Sequence, residues 1–494
     1  MKKHFIAGFI LIFAINLSWI TPLYSQPNTL YFMKGIPQTK DLNPARPGIK
    51  SGWYLALPIF SKLDLSANTN NWSYNDIIHQ GAGSQSDSLV WDFPKFISAI
   101  GNKNFVFESA ALTVLEGGFK KDKNFFSLSL TEKEFAETYF DQNLVDLIYY
   151  GNAQYVGQTY TSGYMGVGAQ HYREVAFTYA RDVSDALTVG ATAKLLFGMS
   201  AIKTNGMNLQ ASSPANGEYL DVTATGRVDV SAPLEYTFYN DPADPTNSSN
   251  GYLESVNSVF DANNYFTNFS NMGFAIDLGF AYQVNDNFQL SVSMIDLGTI
   301  GWKTNTQSFI EQGQFRYSGV ELANPINSLP TSVSVSDSID TLVDKLKSTF
   351  RPDTTTNGFS TGLPTKFYVG GDYLINDIFS VSGLARVRIY NNMVHSALTL
   401  SGNALLWDRL TLSASYSVME STYDNIGLGI GYRGGPFQIY AAADNLISPF
   451  YPSKARNMNL RVGINLIFGE SDDDEGNGKK GRSGRRSGGI DRCP

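Results

Sequence analysis

A strict alternation of apolar with polar or small residues, held over eight or more positions, constrains this chain more than any other feature. Residues 458–468 place an apolar side chain at every second position, from Met458 to Phe468. Successive side chains of a β-strand point to opposite faces, so such a segment forms a strand with one apolar face. The same pattern recurs in residues 187–197, 272–282, 410–418 and 426–433.

The length and composition of these segments favour a membrane. Strands of soluble proteins average about five or six residues, whereas about ten are needed to cross a bilayer at a tilt. Charged residues make up 17% of the chain, against about 25% in a typical globular domain, and aromatic residues make up 13%. The sequence therefore predicts an all-β protein, a transmembrane antiparallel β-barrel.

The first 25 residues have the layout of a secretory signal peptide. Lys2 and Lys3 precede an almost wholly apolar run over residues 5–20, and Ser25 supplies a small residue at the expected cleavage point. A membrane anchor is the alternative, but the run is short for a span of about 20 residues. We expect cleavage near Ser25 and export to the bacterial outer membrane.

The barrel is predicted over residues 51–469, with about 14 strands and 16 as the alternative. Short turns face the periplasm in such barrels, and long loops face outside. If the last strand runs inward, counting back along the chain makes residues 365–375 run inward and residues 288–302 run outward. Residues 308–317 are then a local extension of the outer excursion between them and not a spanning strand. Residues 206–230 are either two spanning strands or an outer hairpin. The long outer excursions are expected at residues 72–102, 131–162, 231–270 and 303–362, with helical spacing in residues 132–150 and 336–350.

Two segments flank the barrel. Residues 26–50 precede the first strand and are predicted to form a plug or hatch-like segment. Residues 470–494 carry five acids and then five bases among Gly and Ser, a composition that cannot bury enough apolar area to fold. We expect a disordered periplasmic tail, which either contacts a charged partner or is simply solvated.

Charges on the polar strand faces are expected to face the lumen, since a charge exposed to lipid at mid-depth costs about 2–4 kcal/mol. Their mixed signs favour a paired network that fills the interior over a selective pore lining. For the same reason Leu428→Arg should impair folding, and Gly427→Arg should be milder if the lumen has room. The predicted lumen-facing charges are Glu174, Lys194, Asp277, Lys366, Asp372, Arg386, Arg388, Arg433, Asp444 and Arg461.

The most suggestive short motif is Asn43-Pro44-Ala45. Asn is a good helix N-cap and Pro suits the first helical position, although a plain turn fits equally. With Leu30-Tyr31-Phe32 and Ile36-Pro37-Gln38, this motif resembles the start of an uncharacterised Bacteroidota outer-membrane β-barrel family. It is also similar to the PorP/SprF-type proteins of type IX secretion and gliding, and more distantly to FadL-type transporters. The FadL resemblance implies a hatch inside the barrel that contains Asn43, Pro44 and Ala45.

Few residues or motifs of this chain suggest catalysis or cofactor binding. His79, His171 and His395 lie far apart in sequence, and no nucleophile-elbow, zinc-protease or phosphate-loop motif occurs. Cys493 is the only cysteine, and the net charge of −8 gives no reason to expect nucleic acid. We expect no enzyme activity, no cofactor and no metal site.

Two functions follow as hypotheses. The first is a structural or secretion and surface-assembly accessory barrel, with outer-membrane lipid and possible periplasmic or surface proteins as partners. The alternative is a FadL-like passive transporter of hydrophobic or small solutes through a plugged barrel.

Overall fold

The computed structural model describes residues 28–57, 61–81, 83, 86–151, 155–238, 253–317, 353–419, 422–446, 448 and 450–469. The predicted signal peptide, the charged tail and the helical spacing at residues 336–350 lie outside the described residues.

The described chain is dominated by antiparallel strands. They are β1 (Gly52–Ala56), β2 (Lys62–Thr69), β3 (Ile78–Gln80), β4 (Leu89–Trp91), β5 (Lys103–Lys121), β6 (Asn124–Asp141), β7 (Thr159–Ser162), β8 (Gly166–Asp182), β9 (Leu187–Ser212), β10 (Leu220–Ser231), β11 (Leu234–Phe238), β12 (Leu253–Ser258), β13 (Met272–Asn285), β14 (Phe288–Trp302), β15 (Thr306–Tyr317), β16 (Asp353–Thr355), β17 (Phe359–Gly362), β18 (Thr365–Leu374), β19 (Phe379–Tyr390), β20 (Met393–Leu406), β21 (Leu410–Met419), β22 (Thr422–Gly434), β23 (Phe437–Ala443) and β24 (Asn457–Phe468).

We call each strand, or pair of successive strands, that crosses the barrel wall once a stave. Fourteen staves form a closed barrel, which confirms the predicted strand number. In order around the barrel the staves are β1 with β2, β5, β6, β8, β9, β13, β14, β17 with β18, β19, β20, β21, β22, β23 and β24. Closure occurs at the first stave, where Trp53 lies opposite Phe119 of β5 on one side and Phe468 of β24 on the other. Every backbone polar group of a closed sheet can find a partner, so no edge remains.

The two faces of the barrel wall have opposite character. Leu398 is 65% exposed and Leu428 is 43% exposed on the outer face, whereas the neighbouring Thr399 and Gly427 point inward and are buried. An exposed apolar belt of this size marks a membrane-contacting surface. Trp53 and Phe468 stack at 4.3 Å at the short-turn end of the belt, where aromatic residues commonly meet the membrane interface.

The upper half of β9 settles the alternative strand count. Residues up to Phe197 pair with β13, but Ala201 to Ser212 pair with β10, and β10 pairs in turn with β15. Residues 206–230 are therefore part of an outer extension of the wall, and residues 308–317 are the local extension that parity predicts. Neither adds a stave.

The helical prediction for residues 132–150 was wrong in part. β6 continues to Asp141, pairing with β5 and β8, and only Gln142–Tyr150 is helical. The Asp141 side chain accepts a hydrogen bond of 2.8 Å from the Leu144 backbone N–H, so the helix begins directly after the strand. Apolar residues at Phe135 and Tyr139 satisfy helical and strand spacing alike, and strand pairing decides between them.

Short helices occupy the outer excursions. They are Tyr74–Ile77, Phe93–Ala99, Gln142–Tyr150 and Ala262–Phe266. No helix in the described part of the chain is both long and apolar enough to span a membrane.

Candidate functional site in the barrel lumen

Residues 28–49, the lumen segment, lie against the inner face of the wall. They contain two 3₁₀ turns, Asn28–Phe32 and Pro37–Asp41, and almost every side chain is buried. Leu30, Phe32, Met33, Ile36 and Leu42 form an apolar core with wall residues such as Tyr368 and Tyr440. The hydrophobic effect thus holds a segment that is too short to fold by itself.

Asn43-Pro44-Ala45 forms a turn rather than a helix start, so the plain-turn alternative is the one observed. The Asn43 side-chain oxygen accepts a hydrogen bond of 2.9 Å from the Ala45 backbone N–H, and Arg46 N–H donates to the Asn43 carbonyl at 2.9 Å. The Asn43 amide donates to the Tyr31 hydroxyl at 2.9 Å and to the wall carbonyl of Phe280 at 3.3 Å. This side chain therefore joins two parts of the segment to the wall.

A stripe of inward-facing glycines on β22 receives the segment. A Cβ atom added at Gly427 would lie 2.5 Å from Thr29 Oγ1, and one at Gly431 would lie 2.8 Å from Ile36 Cδ1. Gly429 is likewise covered by Met33. The lumen has no room for a larger side chain here, so the condition under which Gly427→Arg would be mild is not met.

Asp444 fixes the beginning of the described segment. This carboxylate is fully buried and accepts hydrogen bonds from Asn28 N–H at 2.7 Å, Thr29 N–H at 2.8 Å and the Thr29 hydroxyl at 2.5 Å. Hydrogen bonds to a charged acceptor are stronger than neutral ones, and these three converge on one carboxylate.

A buried group of six charges, the anchor cluster, joins the segment to the wall. Its members are Lys40 and Asp41 of the segment and Lys62, Asp64, Glu116 and Arg461 of the wall. Asp41 lies 2.8 Å from Lys40 Nζ and 2.6 Å from Lys62 Nζ, and Lys40 lies 3.2 Å from Glu116. Arg461 Nε donates to Asp64 at 2.9 Å. Three cations face three carboxylates, so the cluster is neutral.

A second group of six charges, the wall cluster, uses wall residues only. Its members come from six neighbouring staves: Lys133, Glu174, Lys194, Asp277, Asp296 and Lys366. Asp296 lies at the centre, 2.6 Å from Lys194 Nζ, 2.9 Å from Lys366 Nζ and 3.7 Å from Lys133 Nζ. Lys194 also contacts Asp277 at 2.7 Å, and Lys133 contacts Glu174 at 2.7 Å. This cluster is neutral as well.

The structure places the ten charges selected from the sequence in four settings. Glu174, Lys194, Asp277 and Lys366 meet in the wall cluster, Arg461 belongs to the anchor cluster, and Asp444 holds the segment. The remaining four are spread along the inner face: Asp372 accepts a hydrogen bond from Ser382 Oγ at 2.5 Å, Arg386 reaches Met419 Sδ at 3.9 Å, Arg388 lies over the Phe107 ring at 3.6 Å, and Arg433 donates to the Gly435 carbonyl at 3.4 Å in a turn.

Several lumen-facing residues were not among those predicted from the sequence. Lys133 fell in the segment interpreted as helical, and Asp296 lies in a β-bulge with a φ of 61° that interrupts the alternation of β14. Asp64 could have been found, because polar Lys62, Asp64 and Ser66 alternate with Leu63 and Leu65. Glu137 is fully buried 3.0 Å from His395 Nε2 and was missed with the rest of upper β6.

A cavity lies beside the wall cluster. Three aromatic residues, four cationic residues and three acidic residues line it, the acids being Asp64, Glu134 and Asp296. Arg386 forms no ion pair with a carboxylate among the described residues. The rings and cations are those of Phe107, Phe135, Tyr172, Lys133, Lys366, Arg386 and Arg388. The described residues include no group of three side chains suited to hold a metal ion.

Most of the chain matches the model of one protein family. Residues 46–444 match the model of the Family of unknown function (DUF5723), and the protein belongs to that family. No curated protein matches the chain. The kinship with PorP/SprF-type proteins and the Bacteroidota origin remain predictions.

Solved barrels resemble the chain only distantly. The toluene transporter TbuX of Ralstonia pickettii is 12% identical over 90% of this chain and 99% of that chain, with a TM-score of 0.42. A FadL homologue of Pseudomonas aeruginosa is 10% identical over 90% of this chain and 96% of its own, with a TM-score of 0.35. The translocator domain of the autotransporter NalP from Neisseria meningitidis is 8% identical over 85% and 90%, with a TM-score of 0.28. At these scores the fold of this protein rests on its own strand pairing.

Proposed function

We propose that this protein is a non-enzymatic passive transporter of the outer membrane, closed at rest by the lumen segment. The segment moves aside to let a small solute pass. The predicted signal peptide and the apolar belt of the barrel support the outer-membrane location. The accessory role, with a partner for the charged tail, remains a prediction. The contacts in the lumen favour the transporter alternative.

The charge balance of the anchor cluster is the observation that carries the proposal. The segment supplies one cation and one anion to it, Lys40 and Asp41. If the segment leaves, Lys62, Arg461, Asp64 and Glu116 remain, two cations and two carboxylates. A wall that stays neutral in both states avoids the penalty of an uncompensated buried charge. The segment can therefore exchange between two positions at modest electrostatic cost.

The other contacts of the segment are also of a reversible kind. Asp444 holds it by hydrogen bonds, and the glycine stripe provides a smooth surface without interlocking side chains. Its apolar residues must be covered again in the open state. We expect them to repack along the inner wall and not to enter water.

The lining of the cavity suggests the chemistry of the solute. Phe107, Phe135 and Tyr172 offer apolar and aromatic surface, and Arg386 offers a cation that forms no ion pair with a carboxylate among the described residues. A small molecule with an apolar body and one negative group would satisfy both. Such a ligand fits the view of binding sites as mostly apolar clefts with a few polar groups.

A reversible tether tests the proposal. Thr29 Oγ1 and Ser415 Oγ lie 2.7 Å apart, so cysteines at both positions are close enough to form a disulfide between the segment and β21. We would make Thr29→Cys with Ser415→Cys in a Cys493→Ser background and measure swelling of proteoliposomes in benzoate. Oxidation should slow benzoate entry several-fold, and a reductant should restore it.

The two single-cysteine variants control for effects of oxidation and of each substitution. Arabinose, a neutral solute of similar size, serves as the comparison and should enter more slowly than benzoate. Equal entry rates in the oxidised and reduced double variant, with the disulfide verified by mass, would contradict a segment that must move.

A further inference from the structure

Three charged or titratable side chains point outward from the wall beside the apolar belt. Glu132 lies opposite Arg173, and Arg173 lies opposite Phe197, which lies opposite Met272. Alternation along β6 and β8 places Glu132, His171 and Arg173 on the outer face, away from the lumen-facing Lys133 and Tyr172. Polar side chains in one cross-strand row with belt residues need shielding from lipid.

The excursion between β11 and β13 provides that shield. We call residues 253–271 the outer flap. Arg173 Nε donates to Glu132 at 2.5 Å, and Arg173 Nη1 donates to the Phe266 carbonyl at 2.9 Å. His171 Nδ1 lies 2.5 Å from the Tyr265 hydroxyl. The Arg173 and Glu132 side chains are consequently only 20% exposed, although they face outward.

The outer flap exposes several large apolar side chains among polar ones such as Glu254 and Asp261. Phe260 is 54% exposed and Phe269 is 55% exposed, close to the 52% of Phe274 in the belt. The Phe269 ring packs edge-on against Phe197 at 5.2 Å, so the flap surface is continuous with the belt. Val256, Val259 and Phe266 extend this exposed surface.

We propose that the outer flap is a lipid-contacting flange of the barrel. Its phenylalanines lie among the acyl chains of the surrounding leaflet, and its inner side covers the Glu132–Arg173–His171 group. The continuity of its exposed surface with the lipid-facing belt selects acyl chains as the occupant. The flange is independent of whether solutes cross the lumen.

Spin labels can measure this contact in the full-length chain. A nitroxide at Phe260→Cys or Phe269→Cys, in a Cys493→Ser background in liposomes, would be relaxed by oxygen from the lipid or by a water-soluble nickel chelate. Leu195→Cys on the belt and Lys123→Cys in a short turn give the lipid and water limits. The flap labels should match Leu195→Cys, with high oxygen and low nickel accessibility.

Other outcomes would overturn the flange. Nickel accessibility equal to that of Lys123→Cys would place the flap in water. Protection from both reagents with dipolar broadening would place a second copy of the chain there. Folding of each labelled variant is verified by its mobility shift on heating in a gel.

A matched pair tests the shielding role. Glu132→Gln should raise nickel accessibility at Phe269→Cys, because it weakens the carboxylate contact that orients Arg173 towards the flap. Glu108→Gln, outward on the neighbouring β5 and with no contact to the flap among the described residues, should leave it unchanged. The same response in both variants would contradict the proposed shielding role of the flap.

Discussion

The two charge clusters of the lumen have the same composition and differ in what they join. Each contains three cations and three carboxylates, nearly all buried. The wall cluster takes one residue from each of six neighbouring staves and thereby links six of the fourteen staves of the wall. The anchor cluster takes two of its six charges from a segment that is not part of the wall.

Buried ion pairs can therefore serve assembly or exchange, depending on where the charges sit in the chain. Removing one member of a buried pair leaves an uncompensated charge, which is far more costly than removing both. No single strand can be removed from the wall cluster without leaving an uncompensated charge on its neighbours. The lumen segment can leave the anchor cluster with a cation and an anion together.

Asp296→Ala should destabilise the barrel more than any other substitution considered. It would leave Lys194 and Lys366 without their shared carboxylate, at a cost of about 3–5 kcal/mol in the free energy of unfolding. Urea unfolding in lipid vesicles, followed by gel mobility without heating, measures it. A loss below about 1 kcal/mol, the size of an exposed pair, would show that the wall cluster does not hold the staves together.

The next effect compares neighbours on the two faces of β22. Leu428→Arg should lower the free energy of unfolding by about 2–4 kcal/mol, since the charge would enter lipid. Gly427→Arg should displace the lumen segment, because even a Cβ atom there would lie 2.5 Å from Thr29 Oγ1. The barrel should then assemble with raised conductance in planar bilayers. Normal conductance with normal assembly in Gly427→Arg would mean that the segment does not occupy this stripe.

Much of the wall could be predicted from the sequence, because a membrane barrel repeats one simple rule. Apolar residues at every second position of β22 and β24 fix both the strand and its face. Counting the strands back from the last one then identified residues 308–317 as an outer extension but left residues 206–230 open. The rule fails where two periods overlap, as at Phe135 and Tyr139, and where a bulge shifts the alternation, as at Asp296.

The site was harder to predict than the wall. Inward charges such as Lys194 and Arg461 follow from alternation, but their partners depend on stagger between strands and on the path of a segment without periodicity. Nothing in the sequence places Thr29 against Gly427 or Asp41 beside Arg461. Those contacts are separated by several hundred positions in the chain, and only the closed barrel brings them together.

A smaller effect should follow from Asp41→Ala in the anchor cluster. Lys40 keeps Glu116 as a partner at 3.2 Å, and the Asp41 side chain is 21% exposed, so water reaches this position, but the buried Lys62 loses its described ion pair. We expect a loss of about 1–3 kcal/mol in the free energy of unfolding, below that of Asp296→Ala, together with faster amide hydrogen exchange in the lumen segment. A loss as large as that of Asp296→Ala would abolish the distinction between the two clusters.

The weakest effect is expected of an ion pair outside the lumen, between His79 of β3 and Asp92 after β4. His79 Nε2 lies 3.1 Å from the Asp92 carboxylate, and both side chains are about one-third exposed. The hydrogen bond to the Gln80 carbonyl, and then Asp92, raise the pKa of His79. The Lys95 backbone N–H, and then His79, lower the pKa of Asp92.

The pH window of this pair follows from the two directions. The contribution of protonated His79 is complete below its ordinary pKa of about 6.5 and is lost as pH rises through the raised value. The contribution of ionised Asp92 is complete above about 3.9 and is lost as pH falls through the lowered value.

Proteolysis of residues 78–99 should thus be faster in His79→Gln than in the parent at pH 6, by less than about threefold because the pair is exposed, and equal in both at pH 8.5. The ratio of variant to parent at each pH removes the pH dependence of the protease. A ratio that stays constant across this range would show that the pair does not titrate as a unit. A ratio far above threefold would mean that an exposed pair can matter as much as the buried clusters, and burial would then not be what separates strong ion pairs from weak ones in this protein.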